Sequence, residues 1–290
     1  MSLYFIELGD CMEKKIVFFD VDGTLVLPHQ KPRPKVKEAI QALRANGHLA
    51  FICTGRNRCM LEKELEDIGF DGIICSAGSF IEINNKVIEK SFMDHKKVLE
   101  VMNIFDQNNV AYILEGTYNS FADEKMVGLF ANSTDQPFDN SELERIHKEI
   151  EKGMNRKSIE EFHKNPMPIH KISFIAKKYE DLNQPKELLE SEYNFVVHDI
   201  FSKNSVNGEI IDRLITKGTA INKVLEILQL SQQQTIGFGD SMNDYEMLQT
   251  VAYGVAMEDG AKDLKAIADA ICPGVKDDGV YQELKKLKLI

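Results

Sequence analysis

The 290-residue chain contains no apolar run approaching the roughly 20 residues that a membrane span needs. Met1–Lys15 carries acidic groups early and shows no charged, apolar, small-residue order of a secretory signal. Residues 1–11 are expected to be an extension with no part in the fold. Cysteine is sparse. The five present (Cys11, Cys53, Cys59, Cys75, Cys272) are odd in number and form no close-set framework, which excludes a disulfide scaffold. Sequences such as Phe51-Ile52-Cys53 and Ile73-Ile74-Cys75 make them reduced, mostly buried core thiols of a cytoplasmic protein. The seven histidines are scattered, and none pairs with another His or Cys at zinc-ligand spacing. Positive charge is also short: 35 Lys and Arg face 46 Asp and Glu, a net charge of -11. Such a surface repels phosphate backbones, so neither nucleic acid nor a membrane is expected as a partner. Any anionic ligand would need local positive charge, from a side chain or a metal.

What is present is an ordinary core-forming composition, 43% hydrophobic and 28% charged. Ile16-Val17-Phe18-Phe19 is a short continuous apolar run, as in a strand buried on both faces of a parallel sheet. Pro34 starts a helix whose apolar face is Val36, Ala39, Ile40 and Leu43, and Gly47 stands where a cap belongs. A second run, Leu49–Cys53, a helix over 58–68 and a third run, Gly72–Cys75, complete a doubly wound α/β pattern. The rhythm then changes. Helices are expected over 96–107 and 141–152, with strands over 111–114, 171–176 and 194–201 whose two-residue alternation suggests an antiparallel sheet open on one side. After Gly208 the α/β rhythm resumes with a helix from Lys217, a strand over 235–238, a helix around 245–248 and a strand over 253–257. The fold class is therefore α/β: a doubly wound, parallel-sheet, Rossmann-like core (1–85 and 208–290) with an inserted α+β cap (86–207).

Asp20-Val21-Asp22-Gly23-Thr24 follows the first strand directly. Ligands of doubly wound sheets bind at the carboxyl ends of strands, so both carboxylates lie where a site should be. Alternation along extended backbone puts Asp20 and Asp22 on one side, and Gly23 permits a tight turn. Two close acids can divide labour, one attacking as nucleophile and one moving protons. A plain Asp-Gly turn is the competing reading, and the full string in its strand context argues against it.

Phe18-Phe19-Asp20-Val21-Asp22-Gly23-Thr24-Leu25 resembles the first motif of the haloacid dehalogenase superfamily of phosphotransferases. The resemblance implies an aspartyl-phosphate intermediate, with Asp20 attacking phosphorus and Asp22 protonating the leaving alcohol before activating water. Three further segments match in order. Thr54 and the amide of Gly55 resemble the family's phosphate-oxygen grip. Lys217 resembles the basic residue that neutralises the phosphate and Asp20. Gly239-Asp240-Ser241-Met242-Asn243-Asp244 resembles the acidic motif. By that likeness Asp20, Asp22 and Asp240 hold Mg2+, Asn243 supports the phosphate, and Asp244 orients a metal-bound water or Lys217. Magnesium suits such a site, because it takes hard oxygen ligands and lets a carboxylate approach an anionic phosphoryl group. Arg56 could reach a substrate group at the cleft mouth, or could equally make a salt bridge.

The cap's position after the third core strand resembles the Cof-type branch, whose members mostly hydrolyse sugar phosphates and related small phosphomonoesters. The partner implied is a small phosphorylated metabolite. Cys75-Ser76-Ala77-Gly78-Ser79 departs from the branch's usual asparagine before glycine, and Glu258-Asp259 places an acidic pair where small or amide residues are usual. Two other readings compete: a phosphomutase, which would return the phosphoryl group to its substrate, and a phosphate-sensing module in which phosphorylated Asp20 is the signal. The inserted cap and the proton-handling Asp22 favour hydrolysis.

Overall fold

A computed structural model describes residues 13–27, 30–123, 125, 156–197 and 206–290. The first elements are β1 (Ile16–Phe19), α1 (Pro34–Ala45), β2 (Leu49–Cys53), α2 (Lys63–Glu66), β3 (Gly72–Cys75), β4 (Phe80–Ile83) and β5 (Lys86–Lys90). The middle of the chain gives α3 (His95–Gln107), β6 (Ala111–Glu115), β7 (Ser120–Ala122), β8 (Arg156–Ser158), α4 (Ile159–Lys164), β9 (Lys171–Ala176), α5 (Asn183–Leu189), β10 (Tyr193–Val197) and β11 (Val206–Asp212). The last part adds α6 (Lys217–Leu228), β12 (Thr235–Gly239), α7 (Tyr245–Thr250), β13 (Tyr253–Met257), α8 (Lys262–Ile267), β14 (Ala270–Cys272) and α9 (Gly279–Lys286).

Two sheets result. The core sheet runs β14-β13-β12-β1-β2-β3-β4-β5, and its first six strands are parallel. Strands leave β1 toward β2 and β3 on one side and return through β12 to β14 on the other. The β1/β12 boundary is thus the topological switch point, where doubly wound sheets open a ligand crevice. Both faces are covered by apolar clusters: Val36, Ile40 and Leu43 of α1 with Leu284 of α9 on one side, Ile221, Val224 and Leu225 of α6 with Met247 of α7 on the other. This explains why the four buried residues of β1 read as an uninterrupted apolar run rather than an alternation.

The cap sheet, β10-β11-β9-β6-β7-β8, is antiparallel except where β7 meets β8. One face packs Leu114, Ile172, Phe174 and Ile210 against Val101 and Phe105 of α3 and Phe162 of α4. The alternation expected there is present, but the polar face is not open to water. Glu115, Lys171, Ser173, Asn207 and Glu209 are all buried.

Several boundaries differ from the sequence expectation. A division at 85/86 falls inside a hairpin, because β5 pairs with β4 and extends the core sheet to Lys90. Its turn is Asn84-Asn85, both with positive φ (50° and 60°), the geometry of a two-residue hairpin turn that asparagine tolerates. A division at 207/208 falls inside β11, which carries the cap sheet to Asp212. The helix expected over 58–68 is a 3-10 turn, Arg58–Met60, followed by the single turn of α2. Cys59 is half-buried, whereas Cys53, Cys75 and Cys272 are buried. The expectations for residues 1–11, for a helix over 141–152 and for Cys11 lie outside the described residues.

Candidate active site

Each parallel strand delivers its residue at the same edge. Asp20 follows β1, and its amide donates to the carbonyl of Phe238 at 2.9 Å, locking it to β12. Thr54 follows β2, with its amide donating to Ile74 O at 2.9 Å. Asp240 follows β12. Gly23 lies in the turn that follows Asp20 and packs against Asp240: it holds φ +81°, and a Cβ there would lie 2.3 Å from Asp240 Oδ2. Lys217 is carried by the N-terminus of α6, where Thr216 and Thr219 cap each other reciprocally: Thr216 Oγ1 accepts from Thr219 N at 3.0 Å and Thr219 Oγ1 from Thr216 N at 2.9 Å.

The buried Lys217 ammonium is the hub. It donates to Asp20 Oδ1 at 2.7 Å, to Asp244 Oδ1 at 2.5 Å and to Asn243 Oδ1 at 3.2 Å. Asp244 spends its other oxygen on the backbone amides of Asp240 (3.0 Å) and Ser241 (3.2 Å). Both Asp244 oxygens are therefore committed, and its role is to hold Lys217 and shape the loop. Burial would lower the Lys217 ammonium, but Asp20 and Asp244 outweigh it and hold it well above the usual lysine value. Burial pushes the Asp20 carboxyl up to about 8, Asp244 adds to the push, and Lys217 opposes it. Burial, then Asp20 and Asp244, raise Asp240 in the same direction.

One oxygen each from Asp20, Asp240 and Asp244 lie within 4.8 Å of one another. Asp240 Oδ1 is buried without a hydrogen-bond partner among the described residues. Carboxylates pushed toward protonation, plus an unsatisfied buried oxygen, are what a hard cation would relieve, so these residues fit Mg2+. Asp20 and Asp240 are the side chains that would hold it, because Asp244 is committed to Lys217 and two amides. The Asp22 carboxylate, expected among the ligands, is held elsewhere: Arg56 Nε donates to its Oδ2 at 2.7 Å and Arg56 Nη2 to its Oδ1 at 2.6 Å. Arg56 is thus a bidentate clamp on the second acid. Its own amide donates to Thr54 Oγ1 at 3.1 Å, so the Thr54-Gly55-Arg56 loop is tied to both acids' surroundings.

The loop after β3 braces that arrangement. Ser76 N donates to Arg56 O at 2.8 Å and Ala77 N to Thr54 O at 3.1 Å, with Ser76 and Ala77 both at positive φ. The cap closes over the same loop: Asn57 Nδ2 donates to Ser120 Oγ at 3.1 Å, and Cys59 N to Thr117 O at 3.2 Å. Sequence reading missed the cap's contribution. Lys171 Nζ stands 3.9 Å from where a Cβ of Gly55 would be, beside Asn243 Nδ2 at 3.6 Å. The available signal was a lysine and a serine, Lys171 and Ser173, on alternate positions of an otherwise apolar strand.

A family model described as haloacid dehalogenase-like hydrolase matches residues 17–284. The chain belongs to that family. Its cap sheet is inserted after the β4–β5 hairpin of the core sheet. This hydrolase is 27% identical over 285 residues to YkrA of Bacillus subtilis (strain 168), covering 96% of this chain and 100% of that one. It is 23% identical over 277 residues to a phosphoglycolate phosphatase of Archaeoglobus fulgidus, covering 95% and 98%. Among solved structures it resembles the subclass IIB sugar phosphatase BT4131, with a TM-score of 0.76 and 24% identity over 96% of this chain and 100% of that one. No helix among the described residues is long and apolar enough to cross a membrane.

Proposed function

We propose that this phosphatase hydrolyses small phosphomonoesters, sugar phosphates and related metabolites, with Mg2+, through an aspartyl-phosphate on Asp20. The observation that carries the reading is the Lys217 hub, which fixes a buried carboxylate at the switch point between a phosphate-gripping loop and an orphaned Asp240 oxygen. Bound Mg2+ would supply charge neutralisation between the Asp20 carboxylate and the phosphoryl oxygens. Thr54 Oγ1, the Gly55 amide, Lys217 and Asn243 would hold those oxygens. Asp20 forms a bond to phosphorus as the ester bond breaks, and Asp22 gives its proton to the departing alkoxide. Asp22 then takes a proton from water, which attacks phosphorus and frees phosphate and Asp20. Arg56 would orient Asp22 for this exchange.

Phosphate release from a panel of phosphomonoesters, with Mg2+ and with chelator, tests the proposal. Wild type should release phosphate only with the metal, and Asp20→Asn should lose about three orders of magnitude or more while remaining folded. Activity retained in that variant would refute the nucleophile, and release undiminished by chelator would refute the metal.

A further inference from the structure

The Arg56 clamp on Asp22 is only as steady as the loop that carries it, whose one regular feature is the 3-10 turn Arg58–Met60. A closed circuit of hydrogen bonds holds that loop. Arg56 O accepts from Ser76 N at 2.8 Å, and Ser76 O accepts from Ser79 Oγ at 2.7 Å. Ser79 O accepts from Ser91 N at 2.8 Å, in the segment that leads from β5 into α3. Ser91 O accepts from His170 Nδ1 at 2.7 Å, and His170 Nε2 shares a 2.8 Å hydrogen bond with Thr117 Oγ1. Thr117 O accepts from Cys59 N at 3.2 Å, which returns the circuit to the loop where it began.

One arc of this circuit is strained. Ser76 and Ala77 stand at φ 50° and 54°, a conformation that residues with a Cβ keep only where their surroundings impose it. Ser79 and Ser91 brace the strained pair, and Ser91 in turn leans on His170. The His170 ring is 0% exposed and stacks on Phe92 at 4.5 Å, and beside it Met93 N donates to Ile169 O at 2.8 Å. Its hydrogen bonds admit one arrangement. The Ser91 carbonyl can only accept, so Nδ1 carries the proton. In the neutral ring, which burial favours, Nε2 then accepts from the Thr117 hydroxyl. Ring and hydroxyl form a strut between the cap, the connecting segment and the core.

We propose that His170 and Thr117 are positioning residues for proton transfer by Asp22: they steady the Arg56 loop, so that its bidentate clamp points Asp22 at the leaving oxygen. The inference rests on the phosphatase reading of the Asp20 site. Both residues act through Arg56 rather than on the substrate. As the ester bond breaks, its electron pair goes to the leaving oxygen and the Asp22 proton neutralises it. An oxygen that bears negative charge poorly depends on that proton, and one that bears it well does not. Loosening the strut therefore harms esters of the first kind more than those of the second.

The test compares phenyl phosphate with 4-nitrophenyl phosphate, which share a ring and differ in how well the leaving oxygen bears charge. Because kcat/KM covers only the steps up to departure of that oxygen, the ratio of the two values reads proton donation apart from hydrolysis of the aspartyl-phosphate. His170→Phe keeps a ring against Phe92 and removes both hydrogen bonds. It should raise the 4-nitrophenyl-to-phenyl ratio about tenfold, and the nearly isosteric Thr117→Val about threefold. His170→Asn, whose amide can still donate to Ser91 O, should stay closer to wild type than His170→Phe. A merely structural role lowers both esters alike and leaves the ratio unmoved. If His170→Phe does not fold, Thr117→Val decides alone. Ratios within twofold of wild type in the folded variants overturn the inference while wild type hydrolyses both esters. A wild type that releases phosphate from no ester overturns the phosphatase reading, and this inference with it.

Discussion

Among the described residues, two lysines are buried between pairs of carboxylates, and they are built differently. Lys217 sits between Asp20 and Asp244 at the ends of core strands. Its partners are short side chains, and Asp244 is anchored by two backbone amides. Lys171 sits between Glu209 and Glu115 in the middle of an antiparallel cap sheet. Its partners have one more methylene each, and Glu115 is held by a serine hydroxyl. The first arrangement leaves almost no freedom, as suits groups that must meet a phosphorus atom. The second is held through longer side chains, two of them glutamates, and so has more conformational freedom.

The sharpest way to break this comparison is to remove each lysine in turn. Lys217→Met should cost about 3–5 kcal/mol in denaturant unfolding, since it strands two buried carboxylates that cannot turn away. Lys171→Met should cost less, about 2 kcal/mol, because longer glutamates can find other partners. Equal losses would show that the cap cluster is as rigid as the core.

His170, adjacent to Lys171, tests how firmly the cap is pinned. Its ring is buried, donates from Nδ1 to Ser91 O at 2.7 Å, shares a hydrogen bond between Nε2 and Thr117 Oγ1 at 2.8 Å, and stacks on Phe92 at 4.5 Å. Burial pushes the imidazole down to about 4, with Lys90 adding to the depression and the Ser91 carbonyl opposing it. The unfolded chain therefore binds a proton near 6.5 that the folded protein refuses until about 4. Stability from this group is complete above 6.5 and is lost as pH falls toward 4, by roughly 3 kcal/mol. The raised Asp20 slopes the opposite way across that whole range, so the measurement is the pH-dependent difference in unfolding free energy between wild type and His170→Gln. A flat difference would refute the assignment.

Metal should separate the two clusters further. At a Mg2+ concentration about 100 times its Kd, wild type should gain about 2.7 kcal/mol, and Asp240→Asn should lose that gain. Glu209→Gln should keep it, as its carboxylate lies on the cap. The smallest effect is expected at Ala77. Its φ of 54° is strained for a residue with a Cβ, so Ala77→Gly should change stability by no more than about 1 kcal/mol, with relief of strain opposed by backbone entropy.

Much of this was legible in the chain itself where local and global demands coincide. β1 and β2 are continuous apolar runs because both faces of a parallel sheet are covered, and Asp20 and Thr54 follow them directly. Lys217 stood out only by its likeness to the family's basic residue, since a lysine at a helix start is by itself ordinarily a solvated one. Other features need information that lies far away in sequence. The β4–β5 hairpin hides behind Asn84-Asn85, and β5 is an exposed edge strand, Lys-Val-Ile-Glu-Lys, without a buried pattern. The bidentate clamp of Arg56 on Asp22 links residues 34 apart, and neither residue alone signals it. Glu209 looked like the start of the returning core, yet it belongs to the last cap strand, whose pairing with β9 decides its neighbours.

The pairing of β1 with β12 sets a schedule for a newly made chain. Ile16 must wait for Thr235, roughly 220 residues downstream, before the catalytic crevice has two walls. At ribosomal speeds of about 5–20 residues per second, that is a delay on the order of 10–40 s. The cap strands all emerge within that interval and can pair among themselves. The cap sheet can thus be assembled before the crevice of the core, and a nascent Asp20 lacks its second wall until synthesis is nearly complete.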